Sequence, residues 1–363
     1  MIRRHLTIAL TSAITAASLA GAGAACAQDA EEAAASRPAW ALVLHGGAGV
    51  IERGAMDAET EAAYRSALGD VLALGASMLE AGAPAMDVVE AMIQVLEDDP
   101  LFNAGRGAVF TSEGRIEHDA SVMRASDMQA GAIAGVQGVR HPISLARAVM
   151  EDSPHVMLQG PGAEAFADAQ GLERIDESYF FTERRWRALE RQVQALGLPV
   201  PPRPDGAPDP EPVREGLLEQ MDREHRFGTV GVVALDRSGE MVAGTSTGGT
   251  TAKRWGRVGD SPVIGAGTYA GSDCGVSATG TGEYFIRLSV AARICARIEL
   301  AGEDGQSAAD TVIQDELTAM GGDGGVVMLH AGAPLWSFNT SGMYRAAQIA
   351  GGEPVVAIFE DEG

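Results

Sequence analysis

The sequence has 363 residues, of which 46% are hydrophobic, and this is enough for one large domain or two medium ones around a packed core. Its formal charge of -23 at pH 7 repels nucleic acid and anionic membrane surfaces over long range, which argues against a partner of either kind. The same charge repels acidic substrates, so a carboxylate-bearing substrate needs a dedicated cation in its binding site.

The first 27 residues have the pattern of a secretory signal peptide. Arg3 and Arg4 form a basic start, an apolar stretch covers residues 6–19, and residues 25–27 (Ala-Cys-Ala) supply an A-x-A cleavage site. The alternatives are a transmembrane anchor, for which the apolar stretch is short, and a lipid anchor on Cys26. Cleavage would remove two arginines and no acid, changing the formal charge from -23 to -25. We therefore expect a periplasmic or secreted protein.

Blocks of strands and helices follow one another along the rest of the chain. Apolar or alternating runs bounded by glycine turns predict strands at residues 41–50, 100–136, 229–236, 240–247, 261–271, 324–347 and 353–360. Amphipathic patterns predict helices at residues 57–97 (two helices), 143–152, 163–171, 184–196, 282–300 and 307–320. This blockwise order favours an α+β fold with stacked sheets over a regular βαβ alternation.

A tract rich in proline, glycine and acids begins at residue 197 and continues toward residue 228. Such a composition cannot build a packed core, so residues 197–228 are predicted to be a mobile linker. The tract could connect two domains. Alternatively, because it lies just before Gly228 and Thr229, it could let a new chain end move away after a cut.

The sequence lacks the motifs that mark several common kinds of catalytic and cofactor-binding site. The seven histidines are scattered, with no H-E-x-x-H and no paired Cys/His spacing for zinc. The glycine runs form neither a Walker sequence nor a dinucleotide fingerprint, and there is no G-x-S-x-G elbow. No cofactor is therefore expected.

Six motifs resemble one known family, in order and in spacing. They are HGGAG, PLFNAGRGAVFT, GTVGVVALD, TSTGG, GRVGDSPVIGAGTYA and TGTGE, and the resemblance covers residues 41–360. Together they resemble the plant-type (type 2) L-asparaginase and isoaspartyl peptidase family of N-terminal-nucleophile hydrolases. The resemblance implies a four-layer αββα sandwich and a precursor that cuts itself between Gly228 and Thr229. The products would be an α subunit (28–228) and a catalytic β subunit (229–363).

Thr229 suits the role of nucleophile on physical grounds. A hydroxyl needs a nearby base, and a cut before Thr229 creates a free α-amine on the same residue, with a reference pKa of about 7.7–8.0. One residue then supplies nucleophile and base, so no histidine is required. Gly228 has no Cβ and can adopt the backbone geometry that self-cleavage needs. The alternative is that Thr229 is an ordinary β-branched residue at the start of a strand.

Arg257 and Asp260 are three residues apart in the RVGD motif. A guanidinium binds a carboxylate with two parallel hydrogen bonds and an aspartate attracts an ammonium, so together they could hold a zwitterionic amino-acid head. A local salt bridge in a turn is the alternative. The resemblance assigns Arg257 to the substrate α-carboxylate, Asp260 to its α-amine, and Gly282 to the same binding site.

The resemblance assigns the remaining site roles to four residues. The Thr279 hydroxyl and the Gly280 N–H would stabilise the oxyanion, an interaction worth about 3–4 kcal/mol per donor. Thr247 would orient Thr229, and Asn103 would support the site. The alternative for Gly280 is a glycine turn before a helix. The alternative for Thr247 is an ordinary threonine in a strand.

A sodium loop is also implied by the resemblance. Its ligands would be backbone carbonyls of Leu96, Glu97, Asp99, Phe102, Ala104 and Arg106. Elsewhere, Cys274 and Cys295 are the only cysteines after residue 27. Export permits a disulfide between them, and two unrelated free thiols remain the alternative.

The sequence therefore predicts an enzyme with a small-molecule substrate. It would hydrolyse L-asparagine to aspartate and ammonia, and β-aspartyl dipeptides to aspartate and an amino acid. The resemblance further implies a dimer of αβ heterodimers. Two other hypotheses are a glycosylasparaginase, whose relatives tend to carry T-G-D-G where this chain has TGTG at 279–282, and a non-catalytic periplasmic amino-acid-binding protein.

Overall fold

Two β-sheets organise the computed structural model, which describes residues 37–210 and 228–362. In the large sheet the strand order is β12-β11-β1-β5-β6-β2-β3-β4, and in the small sheet it is β10-β9-β8-β7. All neighbouring strands are antiparallel except β3 and β4. The strands are β1 Ala41–Gly49, β2 His118–Arg124, β3 Ala130–Val136, β4 Met157–Gln159, β5 Val230–Leu235, β6 Met241–Thr247, β7 Thr268–Ala270, β8 Cys274–Gly280, β9 Gly324–His330, β10 Ala333–Phe338, β11 Gly342–Ile349 and β12 Val355–Phe359.

The helices lie between blocks of strands in the chain. The α-helices are α1 Ala58–Glu80, α2 Ala85–Asp98, α3 Pro142–Asp152, α4 Gly160–Ala169, α5 Glu183–Ala195, α6 Gly282–Leu288, α7 Val290–Ala301 and α8 Gly305–Asp310, which continues into a π-helical segment, Thr311–Leu317. Short 3-10 turns occur at Arg53–Ala55, Gly105–Gly107 and Glu177–Tyr179. Side chains cap several helices; Asp57, for example, accepts a hydrogen bond from the Thr60 N–H at 2.7 Å at the start of α1.

Strand β5 is apolar at almost every position because both of its faces are covered. Val230, Val232 and Ala234 belong to a cluster shared with α1, α2 and α3. Val233 and Leu235 point the other way, into a second cluster with Leu329 and other residues of the small sheet. A strand buried on both faces reads as a continuous hydrophobic run, which explains the pattern that follows Thr229 in the sequence.

A third apolar cluster covers the opposite face of the small sheet. It joins β8 and β9 to α6, α7 and the 305–317 segment, through residues such as Val276, Phe285 and Val312. The described chain is therefore a mixed α+β fold, as predicted. Among the described residues, no helix is long and apolar enough to cross a membrane.

The helix predicted over residues 282–300 is not continuous. Ser289 has a left-handed conformation (φ 52°) and separates α6 from α7. The N–H groups of Ala291 and Ala292 donate to the carbonyls of Ala266 and Gly265, at 3.2 and 2.9 Å. The first turn of α7 is thus satisfied by a neighbouring loop instead of by α6, an interaction that local helical periodicity does not reveal.

Two sequence predictions fall mainly outside the described residues. The signal peptide (1–27) lies there entirely, and so does most of the 197–228 tract. Its described part is irregular and runs beside α5, where Arg203 pairs with Glu183 at 2.7 Å and lies over the Phe181 ring at 4.8 Å.

Cys274 and Cys295 form a disulfide with a Cα–Cα distance of 5.5 Å. The bond joins the start of β8 to α7 inside the third cluster, and both cysteines are buried. Of the two alternatives that the sequence left open, the structure has the disulfide. It anchors the strand that ends at Thr279 and Gly280.

Replacing both cysteines by alanine should destabilise the protein by about 3 kcal/mol, because the crosslink closes a loop of 21 residues in the unfolded chain. Urea unfolding monitored by tryptophan fluorescence would measure this loss. The wild-type protein should lose a similar amount when unfolded in a reductant, whereas the double variant should not respond to the reductant. Equal stability of the oxidised and reduced wild type would contradict the prediction.

Candidate active site

Thr229 stands immediately before β5 and is buried, with 8% of its surface exposed. Because Val230 pairs with Ser246, the next step in the antiparallel register places Thr229 beside Thr247 at the end of β6. The Thr229 hydroxyl donates to the Thr247 Oγ1 at 3.0 Å, and the Gly249 N–H donates to the same oxygen, also at 3.0 Å. The Thr247 oxygen is therefore held in place and orients the Thr229 hydroxyl.

The peptide group between Gly228 and Thr229 is held by Asn103. The Asn103 N–H donates to the Gly228 carbonyl at 3.0 Å, and a Cβ on Gly228 would lie 2.6 Å from the Asn103 Cβ. Only glycine fits at this distance. The bond that would be cut is thus tightly packed, with its carbonyl polarised by a donor.

Asn103 also fixes the loop that follows Thr247. Its side-chain Nδ2 donates to the Gly249 carbonyl at 2.8 Å, its Oδ1 accepts from the Val109 N–H at 3.0 Å, and its own carbonyl accepts from the Gly248 N–H at 3.0 Å. Asn103 is buried. Asn103 therefore links Gly228 to the loop that follows Thr247 at the end of β6.

Thr279 lies opposite Thr229, on the other sheet. Strands β5 and β8 pass each other in opposite directions, since a Cβ on Gly275 would lie 2.7 Å from Val233 and a Cβ on Gly231 would lie 1.8 Å from the Ser277 Oγ. One more step of two residues along each strand brings Thr229 and Thr279 together.

Thr279 and Gly280 form the end of β8. Thr279 is fully buried and its hydroxyl has no hydrogen-bond partner among the described residues. A Cβ on Gly280 would lie 2.3 Å from the Phe285 ring and 2.5 Å from the Asp323 carbonyl, so only glycine fits. A buried hydroxyl without a partner costs stability, and this is expected where a ligand atom completes the site.

Arg257 and Asp260 both lie against Gly282, at the start of α6. A Cβ on Gly282 would lie 2.9 Å from the Arg257 Nη2 and 2.9 Å from an Asp260 oxygen. Arg257 binds Glu283 through Nε and Nη2, each at 3.0 Å, which leaves the Nη1 side of its fork outside this pair. The partner of Arg257 is thus Glu283, and sequence analysis did not single it out although it directly follows Gly282.

Asp260 is buried, and its Oδ2 has no hydrogen-bond partner among the described residues. Burial raises the pKa of Asp260 to about 7, while attraction from Arg257 opposes the rise. An ammonium placed at the free oxygen would favour the charged carboxylate. Asp260 is therefore suited to bind a cationic group.

Asp119 is a second buried carboxylate at this end of the large sheet. It faces Thr247 in the β2–β6 register, and its Oδ1 accepts from the Gly135 N–H at 2.8 Å. Its Oδ2 has no partner within the described parts of the chain. The charge of Asp119 also acts on Arg257 and Asp260. No local sequence pattern marks Asp119, because its place beside the site arises from strand pairing.

The predicted sodium loop folds back on the end of α2. A Cβ on Gly105 would lie 2.2 Å from the Glu97 carbonyl oxygen, so the loop approaches the carbonyls of the last helical turn, which favour a cation. The carbonyls of Asp99 and Ala104 already accept bonds from Phe102 and Gly107, at 3.3 and 3.1 Å.

The Glu97 side chain makes its hydrogen bonds elsewhere and not in the predicted sodium loop. Its Oε1 accepts from the Ser246 hydroxyl at 2.6 Å and the Ile143 N–H at 3.0 Å, and burial raises its pKa well above the usual range. The described residues contain no cluster of three or more His, Cys, Asp or Glu side chains able to hold a metal. A cation here would therefore be bound by backbone carbonyls, and the sodium loop stays a prediction.

The chain is similar to members of one known family over most of its length. The sequence model of the asparaginase family matches residues 38–358. The chain is 44% identical over 324 residues to the isoaspartyl peptidase of Escherichia coli K12, covering 89% of this chain and 97% of the relative. It is 40% identical to a probable isoaspartyl peptidase/L-asparaginase of Arabidopsis thaliana (88% and 99% covered) and 39% identical to the plant-type L-asparaginase of Pyrococcus furiosus (80% and 89% covered). The chain therefore belongs to the asparaginase family of N-terminal-nucleophile hydrolases.

Proposed function

We propose that this protein cuts itself before Thr229 and then hydrolyses L-asparagine and β-aspartyl dipeptides. The observation that carries the proposal is the buried Thr229 hydroxyl, 3.0 Å from the Thr247 Oγ1, together with the unpartnered Thr279 hydroxyl near the end of β8. The names of its relatives support both substrates. A glycosylasparaginase and a non-catalytic binding protein are the competing outcomes.

Self-cleavage would begin with attack of the Thr229 Oγ on the Gly228 carbonyl carbon. The C–N bond breaks, the nitrogen takes the proton lost by the hydroxyl, and Gly228 becomes esterified to Thr229. Water then opens the ester, which frees the Gly228 carboxylate and restores the hydroxyl. Asn103 supports this step, because its N–H polarises the carbonyl that is attacked.

In the mature enzyme the new α-amine of Thr229 would act as the base. It takes the hydroxyl proton as Oγ attacks the side-chain amide carbon of the substrate, and it then gives that proton to the leaving nitrogen. The Thr279 hydroxyl and the Gly280 N–H would stabilise the oxyanion. Ammonia or an amino acid leaves, and water hydrolyses the acyl-enzyme on Thr229 to release aspartate.

The shared aspartyl head of both substrates would be held beside Gly282. The free side of the Arg257 fork suits the α-carboxylate, and the unpartnered Asp260 oxygen suits the α-ammonium. Both substrates therefore present the same amide to Thr229. The group beyond this amide is not bound by Arg257 or Asp260, which is compatible with two kinds of leaving group.

The proposal extends to architecture, location and assembly. The succession of helices, large sheet, small sheet and helices through three apolar clusters supports a four-layer αββα sandwich. The Cys274–Cys295 disulfide supports an oxidising compartment, in line with a signal peptide at 1–27 and a periplasmic or secreted enzyme. A dimer of αβ heterodimers and a structural sodium ion in the 96–106 loop complete the proposal.

Thr229→Ala should abolish both self-cleavage and turnover, because it removes the hydroxyl that performs both attacks. Denaturing electrophoresis, N-terminal sequencing and assays on asparagine, β-aspartyl-leucine and a glycosylasparagine would test this. Arg257→Ala is the matched control: it keeps Thr229, so it should mature but bind substrate poorly. A smaller wild-type fragment that begins elsewhere than residue 229 would contradict the proposed cut, and turnover of the glycosylasparagine alone would favour the rival enzyme.

The affinity of the mature enzyme for L-aspartate should fall as the pH decreases through about 7. Asp260 must be charged to pair with the ammonium, so with a folded pKa of about 7 its contribution is present above that pH and lost below it. Binding should be about tenfold weaker at pH 6 than at pH 8. Isothermal titration calorimetry would measure this.

Asp260→Asn provides the control for the pH dependence. It should bind weakly at every pH and should lack the loss of affinity between pH 8 and pH 6, because the carboxylate that loses its charge in that range is gone. A wild-type affinity that is unchanged between pH 6 and pH 8 would show that Asp260 is not the ammonium ligand.

A further inference from the structure

A chain of buried hydrogen bonds runs between the two sheets beneath the candidate active site. Ser121 Oγ and Thr268 Oγ1 are 2.7 Å apart, and Thr268 Oγ1 and Thr245 Oγ1 are 2.6 Å apart. The Thr245 and Ser277 hydroxyls are 2.7 Å apart, and Ser277 Oγ is 3.0 Å from His45 Nε2. All five side chains are fully buried. We call these five residues the hydroxyl chain.

Every bond in the hydroxyl chain crosses from one sheet to the other. His45, Thr245 and Ser121 belong to β1, β6 and β2 of the large sheet, whereas Ser277 and Thr268 belong to β8 and β7 of the small sheet. The rest of the interface is mainly apolar, formed by residues of the second cluster. Apolar contacts are non-directional, so these hydrogen bonds are the directional links that fix the register of one sheet on the other.

Two residues of the hydroxyl chain lie close in sequence to residues of the candidate active site. Thr245 is two residues before Thr247, and Ser277 is two residues before Thr279, so each pair shares one face of its strand. At its far end, Ser121 also donates to the Ser261 carbonyl at 2.6 Å, next to Asp260. The chain thus touches the segments that carry the orienting hydroxyl, the oxyanion donor and the ammonium ligand.

The bonds can all be donated in one direction, from His45 toward the Ser261 carbonyl, which can only accept. Burial lowers the pKa of His45 to about 3, so its imidazole is neutral at physiological pH and can donate a single N–H, from Nε2, to Ser277. Gly231 leaves room for this arrangement, because a Cβ there would lie 1.8 Å from the Ser277 Oγ and 2.5 Å from His45 Nε2. The second glycine of the GTVG motif is therefore required by the hydroxyl chain.

We propose that Thr245, Thr268 and Ser277 are positioning residues that set the distance between the nucleophile on the large sheet and the oxyanion donors on the small sheet. The inference rests on the proposed function. Within a sheet the backbone ladder fixes strand spacing, but no such ladder joins two stacked sheets. A displacement of about 1 Å between reacting groups can cost about 100-fold in rate, so directional links across this gap have a direct effect on turnover.

Two substitutions at position 245 separate the hydroxyl from packing. Thr245→Val keeps the shape and removes the hydroxyl, whereas Thr245→Ser keeps the hydroxyl and removes a methyl group. We expect the Val variant to lose at least about tenfold in kcat for asparagine with KM changed less than about threefold, and the Ser variant to stay within about twofold of the wild type. Rates are taken per mature active site, counted from the β fragment.

A matched control is Val233→Ala, which truncates an apolar side chain in the same interface without touching the hydroxyl chain. It should lower the thermal midpoint and leave kcat unchanged. If kcat instead followed the thermal midpoint across the Val, Ser and Ala variants, the role of Thr245 would be structural only and the proposal would be overturned.

The remaining outcomes are also decisive. Equal kcat in Thr245→Val and Thr245→Ser overturns the proposal, whereas a Val variant that fails to mature while the Ser variant matures supports it, since Thr229 also makes the first attack. If neither variant folds, Thr268→Val and Thr268→Ser give the same comparison one link further along. A wild-type enzyme inactive on both substrates would refute the proposed function, and the hydroxyl-dependent difference in maturation would then decide the positioning role.

Discussion

The hydrogen bond between Thr229 and Thr247 is the interaction on which the rest of the site depends. It requires the start of β5 to lie beside the end of β6, and the apolar residues on both faces of β5 hold that strand at the centre of the large sheet. Thr247 is in turn fixed by the loop at Gly249, which Asn103 ties to Gly228. The proposed nucleophile, its orienting hydroxyl and the proposed cleavage bond are thereby held by one small network.

The proposed oxyanion donors come from a different sheet, and this division explains several features of the fold. Thr279 and Gly280 end a strand that is anchored by a disulfide at its start and by Ser277 in its middle. Stability and catalytic geometry are linked here, because the groups that hold β8 in place also determine where the oxyanion donors point. A loosely packed interface of the same area would bury similar apolar surface without fixing that position.

The sequence was sufficient for the family, the α+β class and most strands, because periodicity and motif order are local properties. Thr229 and Thr247, which the resemblance puts together, lie 3.0 Å apart, and Arg257 and Asp260 meet at Gly282. Glu283, Asp119 and the hydroxyl chain were missed because their partners lie in other segments of the chain. The break at Ser289 was missed for the same reason: the carbonyls that start α7 belong to another segment. Contacts between segments that are distant in the chain leave no periodic pattern in the sequence, and these are the contacts that sequence analysis missed.

The charges around Arg257 would favour binding of the neutral substrate over binding of the more negatively charged product. Arg257 is paired with Glu283, and the carboxylates of Asp260 and Asp119 lie nearby, so acidic groups outnumber the guanidinium. The zwitterionic head of asparagine is neutral overall and, in the proposed binding mode, would be attracted at both of its ends. Hydrolysis replaces the neutral side-chain amide by a carboxylate, which adds a negative charge inside a site with excess acid in a protein of formal charge -23. In the proposed reaction, repulsion would therefore develop only after the amide bond has been cut, and it would favour departure of aspartate over rebinding.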